Sequence, residues 1–206
     1  ALKCIHLKPR TSLRIARRYL QLKKMSFKFP EFPILVTDRL RLRKITKNDG
    51  PTMFFLRTDK EVNKYINRPK PHKNVKEVED FIEKSSKGIE NGENINWGIT
   101  LHGETDIIGS ICLWNFSVDR KKAELGYDLN PKYQNRGIMS EALNRVLNFG
   151  FLDLNLDEIE AFTHHGNESS KRLLIKNNFS LNKSRTDEDN PNNIIFELKK
   201  TAANKN

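Results

Sequence analysis

Apolar and polar positions alternate along the early part of this chain and then switch period. Leu40, Leu42 and Ile45, with Arg39, Arg41 and Arg43 between and beside them, predict a half-buried strand. Asn48 or Asp49 is placed to cap a short helix over Met53 to Leu56, and Asp59 to Ile66 reads as a second short helix. A loop from Asn67 to Asn74 holds Pro69 and Pro71. Val75, Val78, Phe81, Ile82 and Ile89 then recur at helical spacing up to Gly92. Three strands follow, Asn96 to Leu101, Asp106 to Phe116 and Lys122 to Leu129, joined by short turns that predict an antiparallel meander.

The most regular helix runs from Ile138 to Leu152. Met139, Ala142, Leu143, Val146, Leu147 and Gly150 share one face, and Glu141, Asn144, Arg145 and Asn148 the other. A strand at Ile159 to Phe162 leads to a helix capped by Asn167 and closed near Asn177, with Asn178 in the left-handed position that usually takes Gly. Phe179 to Asn182 and Ile194 to Leu198 read as closing strands around the polar loop 183–193, and Thr201 to Asn206 should fray. The pattern predicts one α+β domain over residues 25–200, a mixed, mostly antiparallel sheet with helices on both faces.

Composition narrows the class. A hydrophobic content of 36% over 206 residues, with 12 Phe, suits a soluble domain with a real core. No apolar run approaches the roughly 18 residues of a membrane span, so no membrane partner is expected. Cys4 and Cys112 give no disulfide framework, which suits a reducing cytoplasm, and the His and Cys residues lack metal-ligand spacing. The net charge of +11 is concentrated at one end. Eight basic residues and no acidic ones fall in residues 1–24, leaving a body of 29 basic against 26 acidic residues. Nothing in that body demands a nucleic acid. The basic extension reads as a nucleic-acid-binding arm, a targeting segment, or upstream or cloning-derived sequence ahead of Met25.

Candidate chemistry centres on Gln134-Asn135-Arg136-Gly137-Ile138-Met139-Ser140, between the strand ending at Leu129 and the helix opening at Ile138. A polar glycine turn that opens a helix aims several backbone N–H groups at one point and suits a phosphate or pyrophosphate. With the preceding Glu124-Leu125-Gly126-Tyr127-Asp128-Leu129-Asn130-Pro131, this segment resembles the acetyl-CoA motif of the GNAT acetyltransferase superfamily, Gln/Arg-x-x-Gly-x-Gly/Ala. Met139 stands where that pattern prefers Gly or Ala. Asn167-x-x-Ser170, followed by Lys176-Asn177-Asn178-Phe179, is similar to a second family motif. Thr37-Asp38-Arg39-Leu40-Arg41-Leu42-Arg43 is similar to the RimJ/RimL branch, which acetylates ribosomal-protein N-termini. The resemblance spans about Leu35 to Lys199.

The resemblance implies acetyl-CoA as co-substrate, no metal, and direct acetyl transfer to an amine on a peptide N-terminus or small molecule. It places the CoA pyrophosphate on the N–H groups of Asn135 to Ser140. It also implies splayed central strands, with pantetheine in the gap between the strand of Tyr127 to Leu129 and that of Ile159 to Phe162, and a β-bulge as the usual device for ending their pairing. By the same resemblance the N–H near Leu129 stabilises the oxyanion, and Asn167 and Lys171 contact the cofactor. The Tyr acid of many relatives is replaced by Leu174, so Ser170 becomes the donor to the leaving thiolate. Glu124, on the strand leading to the site, is the candidate base, directly or through water; the other reading is a solvated strand carboxylate. Alternation puts Tyr127 on the opposite sheet face from Glu124, where it contacts substrate or packs.

The resemblance sets the acceptor side along residues 57–72, where Arg57, Lys60, Lys64, Arg68 and Lys70 suit an acidic or peptide acceptor, or form a solvated face. Two other functions share these features: a CoA-binding sensor without catalysis, and a ribosome- or RNA-associated protein using the basic extension. A monomer or homodimer fits equally.

Overall fold

The computed structural model describes residues 29, 31–66 and 71–201. The basic extension 1–24, Arg68, Lys70 and the expected frayed residues 202–206 lie outside them. Eight strands form one sheet: β1 (Leu35–Val36), β2 (Leu40–Lys44), β3 (Asn94–Leu101), β4 (Gly109–Trp114), β5 (Lys122–Leu129), β6 (Glu158–His164), β7 (Ser180–Asn182) and β8 (Asn193–Lys199). Their order is β1-β2-β3-β4-β5-β6-β8-β7. Every neighbouring pair is antiparallel except β5 and β6, which run parallel. The last strand therefore slots between β6 and β7.

Among the described residues four α-helices cover both faces: α1 (Gly50–Thr58), α2 (Val75–Glu90), α3 (Ile138–Asn148) and α4 (Glu168–Lys176). Helices α3 and α4 bury Ile138, Met139, Ala142, Leu143, Val146 and Leu174 against Ile111, Leu113, Leu125 and Ile159 of the sheet. Met139, the departure from the motif, is thus a core residue with 8% exposure. Helices α1 and α2 form a smaller cluster on the other face, with Met53, Leu56, Val78 and Ile82 over Ile45 and Ile107.

Asp49 stands at the N-cap of α1 without a side-chain cap bond, its carboxylate accepting instead from Arg43 and the Thr46 N–H, whereas the caps of α2 and α4 are made by asparagines. Asn74 Oδ1 accepts the Glu77 N–H at 3.0 Å, and Asn167 Oδ1 accepts the Ser170 N–H at 3.1 Å. Asn178 adopts φ 65°, the left-handed turn expected after α4.

Two expected helices come out differently. Asp59 to Ile66 forms turns, because the Asp59 carboxylate accepts from the Glu61 and Val62 N–H groups at 3.0 Å and Asn63 Nδ2 donates to the Leu56 carbonyl at 2.9 Å. Such side-chain bonds compete with the helical ladder. The helix expected to Leu152 leaves α geometry at Asn148 and continues as a π-turn over Phe149–Asp153. Three consecutive buried residues, Phe149, Gly150 and Phe151, do not fit a 3.6-residue stripe. The wider turn seats Phe149 edge-on to Trp97 at 5.5 Å.

Candidate active site

The site opens where β5 and β6 part. Their pairing runs from Lys122↔Glu158 to Leu125↔Ala161 and stops, although β5 continues to Leu129 and β6 to His164. The register of β5 on β4 is unbroken from Trp114↔Glu124 to Gly109↔Leu129, so the strands diverge without the expected bulge in that ladder. Asn130 N–H bonds the Ile108 carbonyl of the β4 side at 2.9 Å. Backbone groups alternate sides along a strand, so the main-chain groups of Leu129 and Tyr127 point toward β6 and into the gap. Gln134 Nε2 donates to the Leu129 carbonyl there at 3.1 Å. A cleft of about 380 Å³ lies along this opening.

The glycine turn forms one end of the cleft. Gln134, Asn135, Gly137, Ile138, Met139 and Ser140 all line it. Asn135 and Gly137 take left-handed φ values of 58° and 74°. A Cβ on Gly137 would meet only Arg39 Nη2, at 3.5 Å, so its backbone angle and not crowding within the protein calls for glycine. The first helical bond here is Glu141 N–H to Gly137 O at 3.0 Å, and the first-turn N–H groups before it have no intrahelical acceptor. Unpaired N–H groups at that end of α3 are of the kind that suit an anion.

A clamp holds the turn from the sheet edge. Glu141 Oε1 accepts the Thr37 hydroxyl at 2.6 Å and the Arg39 N–H at 3.0 Å, and Oε2 accepts Arg39 Nε at 2.6 Å. Arg39 Nη1 donates to the Arg136 carbonyl at 3.1 Å. Arg136 thus serves the turn through its main chain, with its side chain outside the cleft lining. Burial pushes the Glu141 carboxyl up, but the Thr37 hydroxyl and the Arg39 N–H and guanidinium outweigh it and hold it below the ordinary range.

Tyr127 and Ser170 meet across the cleft, with their hydroxyls 2.7 Å apart. Ser170 is 8% exposed. Desolvation pushes the Tyr127 phenol up to about 12, against the Ser170 bond that lowers it. Tyr127 therefore stays protonated at neutral pH. Asn167 and Ser170 line the cleft, but Lys171 does not, and its ammonium pairs with Glu168 at 2.5 Å. The cations that do line it are Arg172 and Lys176, joined by Ser169 and Leu173. Their spacing of three and four marks one helical face, a signal present in the sequence that the motif match passed over. Tyr133 and Asp128 also line the cleft without having been singled out.

Glu124 is placed elsewhere. It is 8% exposed, lies beside Trp114 and Glu160 on the neighbouring strands, and accepts from Asn115 Nδ2 at 3.5 Å. Five residues of strand separate it from Leu129, roughly 16 Å at 3.3 Å per residue. It does not line the cleft. On the same face Glu158, Glu160 and Glu197 bring carboxylate oxygens within 4.8 Å of one another. Lys122, Arg185 and Lys199 pair with them in turn. On the expected acceptor side, Arg57 turns inward at 8% exposure, with its guanidinium 3.9 Å over Phe81 and Nε 3.3 Å from His72. Tyr65 stands 5.4 Å from the His164 ring at the open end of β6.

A mixed sheet opened between its two parallel strands, with a helix N-terminus at the mouth, has the shape to receive an extended ligand that carries an anionic group. Residues 39–180 match the Acetyltransferase (GNAT) domain, and the chain belongs to this family of acetyltransferases. The uncharacterized N-acetyltransferase YoaA of Bacillus subtilis (strain 168) is 32% identical over 148 residues, covering 72% of this chain and 83% of YoaA. The uncharacterized N-acetyltransferase p20 of Bacillus licheniformis is 32% identical over 140 residues, 68% of this chain and 78% of p20. An acetyltransferase (GNAT family) from Bacillus anthracis superposes with a TM-score of 0.69 at 24% identity, covering 81% of this chain and 98% of its own. RimL, a ribosomal L7/L12 α-N-protein acetyltransferase in complex with coenzyme A, superposes at 0.70 with 16% identity over 81% of this chain and 98% of its own. These likenesses establish the fold. No helix among the described residues is long and apolar enough to cross a membrane.

Proposed function

We propose that this enzyme is an acetyl-CoA-dependent N-acetyltransferase that moves the acetyl group directly to a primary amine, on a protein N-terminus or a small molecule. One observation carries the reading. The main-chain edge of Leu129, the Tyr127–Ser170 hydroxyl pair and the anion cradle all border one cleft. The residues fit the donor. The N–H groups of the Asn135–Ser140 segment suit a pyrophosphate, and Arg172 and Lys176 add positive charge at the same end. The open strand edge suits an amide-bearing arm.

The chemistry follows from these positions. The Leu129 N–H polarises the thioester carbonyl and stabilises the oxygen as charge develops. Tyr127, protonated at neutral pH, donates to Ser170 and leaves the serine hydrogen for the departing sulfur. Asn167 fixes the first turn of α4, and so Ser170, through the 3.1 Å bond to its N–H. Glu124 does not line this cleft and is left out of this reading. The test is Ser170→Ala, assayed for acetyl-CoA affinity and for turnover on a panel of peptides and small amines read by mass shift. Turnover falls about tenfold or more with affinity unchanged; equal turnover removes Ser170 from the mechanism. If the wild-type chain binds acetyl-CoA yet acetylates no amine, it is a sensor. Salt-sensitive RNA binding that disappears on deletion of residues 1–24 supports the ribosome-associated alternative.

A further inference from the structure

We propose that Asp128 is the acceptor-side catalytic residue, a carboxylate that binds the incoming primary ammonium and takes its proton. The proposal rests on the transferase reading above and deepens it. Asp128 precedes Leu129, whose N–H faces the gap, and it lines the same cleft. Alternation along β5 sends its side chain to the face of α1 and α2, opposite Tyr127 and Ser170. The thiolate donor and this carboxylate thus stand on opposite sides of the strand opening. An amine has to approach from the side that the donor's thioester arm leaves free, which is the side Asp128 occupies.

The carboxylate is held for such a role. It is 5% exposed, and its Oδ1 accepts both the Ser110 N–H at 3.0 Å and the Ser110 hydroxyl at 2.8 Å. Ser110 is the cross-strand partner of Asp128 and is itself 3% exposed. Two neutral donors on one oxygen fix the plane of the group. Glu124 shares this sheet face but lies four residues earlier along β5, roughly 13 Å from Asp128.

The step balances. A primary ammonium gives one proton to the Asp128 carboxylate, directly or through water. The freed nitrogen lone pair forms the C–N bond to the thioester carbonyl carbon, and the C–S bond breaks. The amide nitrogen sheds its second proton, the thiolate is protonated to the thiol, and Asp128 returns its proton to solvent. The acceptor class is therefore a primary amine that is cationic at neutral pH.

The test uses ethylamine, glycinamide and aminoacetonitrile, primary amines of falling basicity, with the wild-type chain and Asp128→Asn. Asn keeps an oxygen for Ser110 but cannot take a proton. The expected result is a loss in kcat/KM of about a hundredfold or more for ethylamine. The loss shrinks toward aminoacetonitrile, which is largely neutral without help, while acetyl-CoA affinity stays within about twofold. An equal loss on all three amines, or none, overturns the proposal. Ser110→Ala supplies a second reading should Asp128→Asn not fold. It keeps the carboxylate but releases it, so the amine KM rises with acetyl-CoA affinity unchanged, and an unchanged amine KM also overturns the proposal. If the wild-type chain releases no thiol with any amine or peptide, the transferase reading itself has failed.

Discussion

The Glu141 clamp offers the sharpest energetic prediction. Glu141→Gln keeps the shape of the side chain and removes its charge. The carboxylate accepts from Thr37 Oγ1 at 2.6 Å, Arg39 N at 3.0 Å and Arg39 Nε at 2.6 Å. Hydrogen bonds to a charged group each contribute roughly 1.5–3 kcal/mol in mutational series. The Arg39 side chain is 51% exposed, so water screens its share down to about 1 kcal/mol or less. The better shielded Thr37 and backbone bonds weaken without vanishing, and the summed loss is about 2 kcal/mol. Urea unfolding measures it as a lower midpoint with an unchanged slope. A cycle of Glu141→Gln with Thr37→Val should show a coupling of about 1 kcal/mol, and additivity within about 0.3 kcal/mol refutes the reasoning. The pH dependence has a definite sign. The folded Glu141 value lies below the ordinary 4.5, so its stabilisation is complete above 4.5 and is lost as pH falls through the lower folded value. Arg39→Ala separates stability from binding. It leaves an uncompensated carboxylate in the first turn beside the anion cradle, so acetyl-CoA affinity falls several-fold, most at low salt.

Three further outcomes are expected. A Cβ on Gly109 would meet the Asp128 carbonyl at 2.5 Å and Leu129 Cδ1 at 2.8 Å, so Gly109→Ala destabilises by about 1–3 kcal/mol in urea unfolding and lowers kcat by shifting β5 at the gap; wild-type behaviour means that β4 has more slack than the contacts indicate. At Gly137, with φ 74°, Ala costs about 1 kcal/mol or more and Asn less, a ranking read from thermal midpoints and contradicted if the two are equal. Tyr127 has its phenol raised from 10.0 to about 12, so its stabilising share is intact below 10.0 and lost as pH rises through about 12; Tyr127→Phe flattens that alkaline limb, and an unaltered limb assigns it to another group.

Local pattern made much of this architecture legible. The apolar stripe from Met139 to Val146 defines α3, and alternation defines β5 with the ends Lys122 and Leu129. The glycine turn declares its anion cradle through chemistry that is local to seven residues. Depth and order are another matter. Alternation assigns Glu124 a sheet face but does not say which stretch of β5 borders the cleft, and that stretch is Tyr127 to Leu129. The Tyr127–Ser170 contact joins residues 43 apart in sequence, and no periodicity announces it. Lys171 matched by motif proximity, whereas the helical face belongs to Arg172 and Lys176. The turns at Asp59 to Ile66 were hidden because Asp59 and Asn63 act through side-chain bonds to the backbone, which hydrophobic spacing does not register.

The placement of β8 reaches into how the protein is made. It pairs with β6 along the whole run from Glu158↔Lys199 to His164↔Asn193, although it is the last strand of the sheet in sequence. During synthesis β6 emerges well before its partner and presents one unpaired edge while 29 or so residues are still to be added. Such an edge is a template for joining another chain. Nascent chains stalled or cut before Asn193 are therefore aggregation-prone even with every cleft-lining residue present. A ribosome-bound series of increasing length would gain protease resistance in β6 only once Lys199 has cleared the exit tunnel.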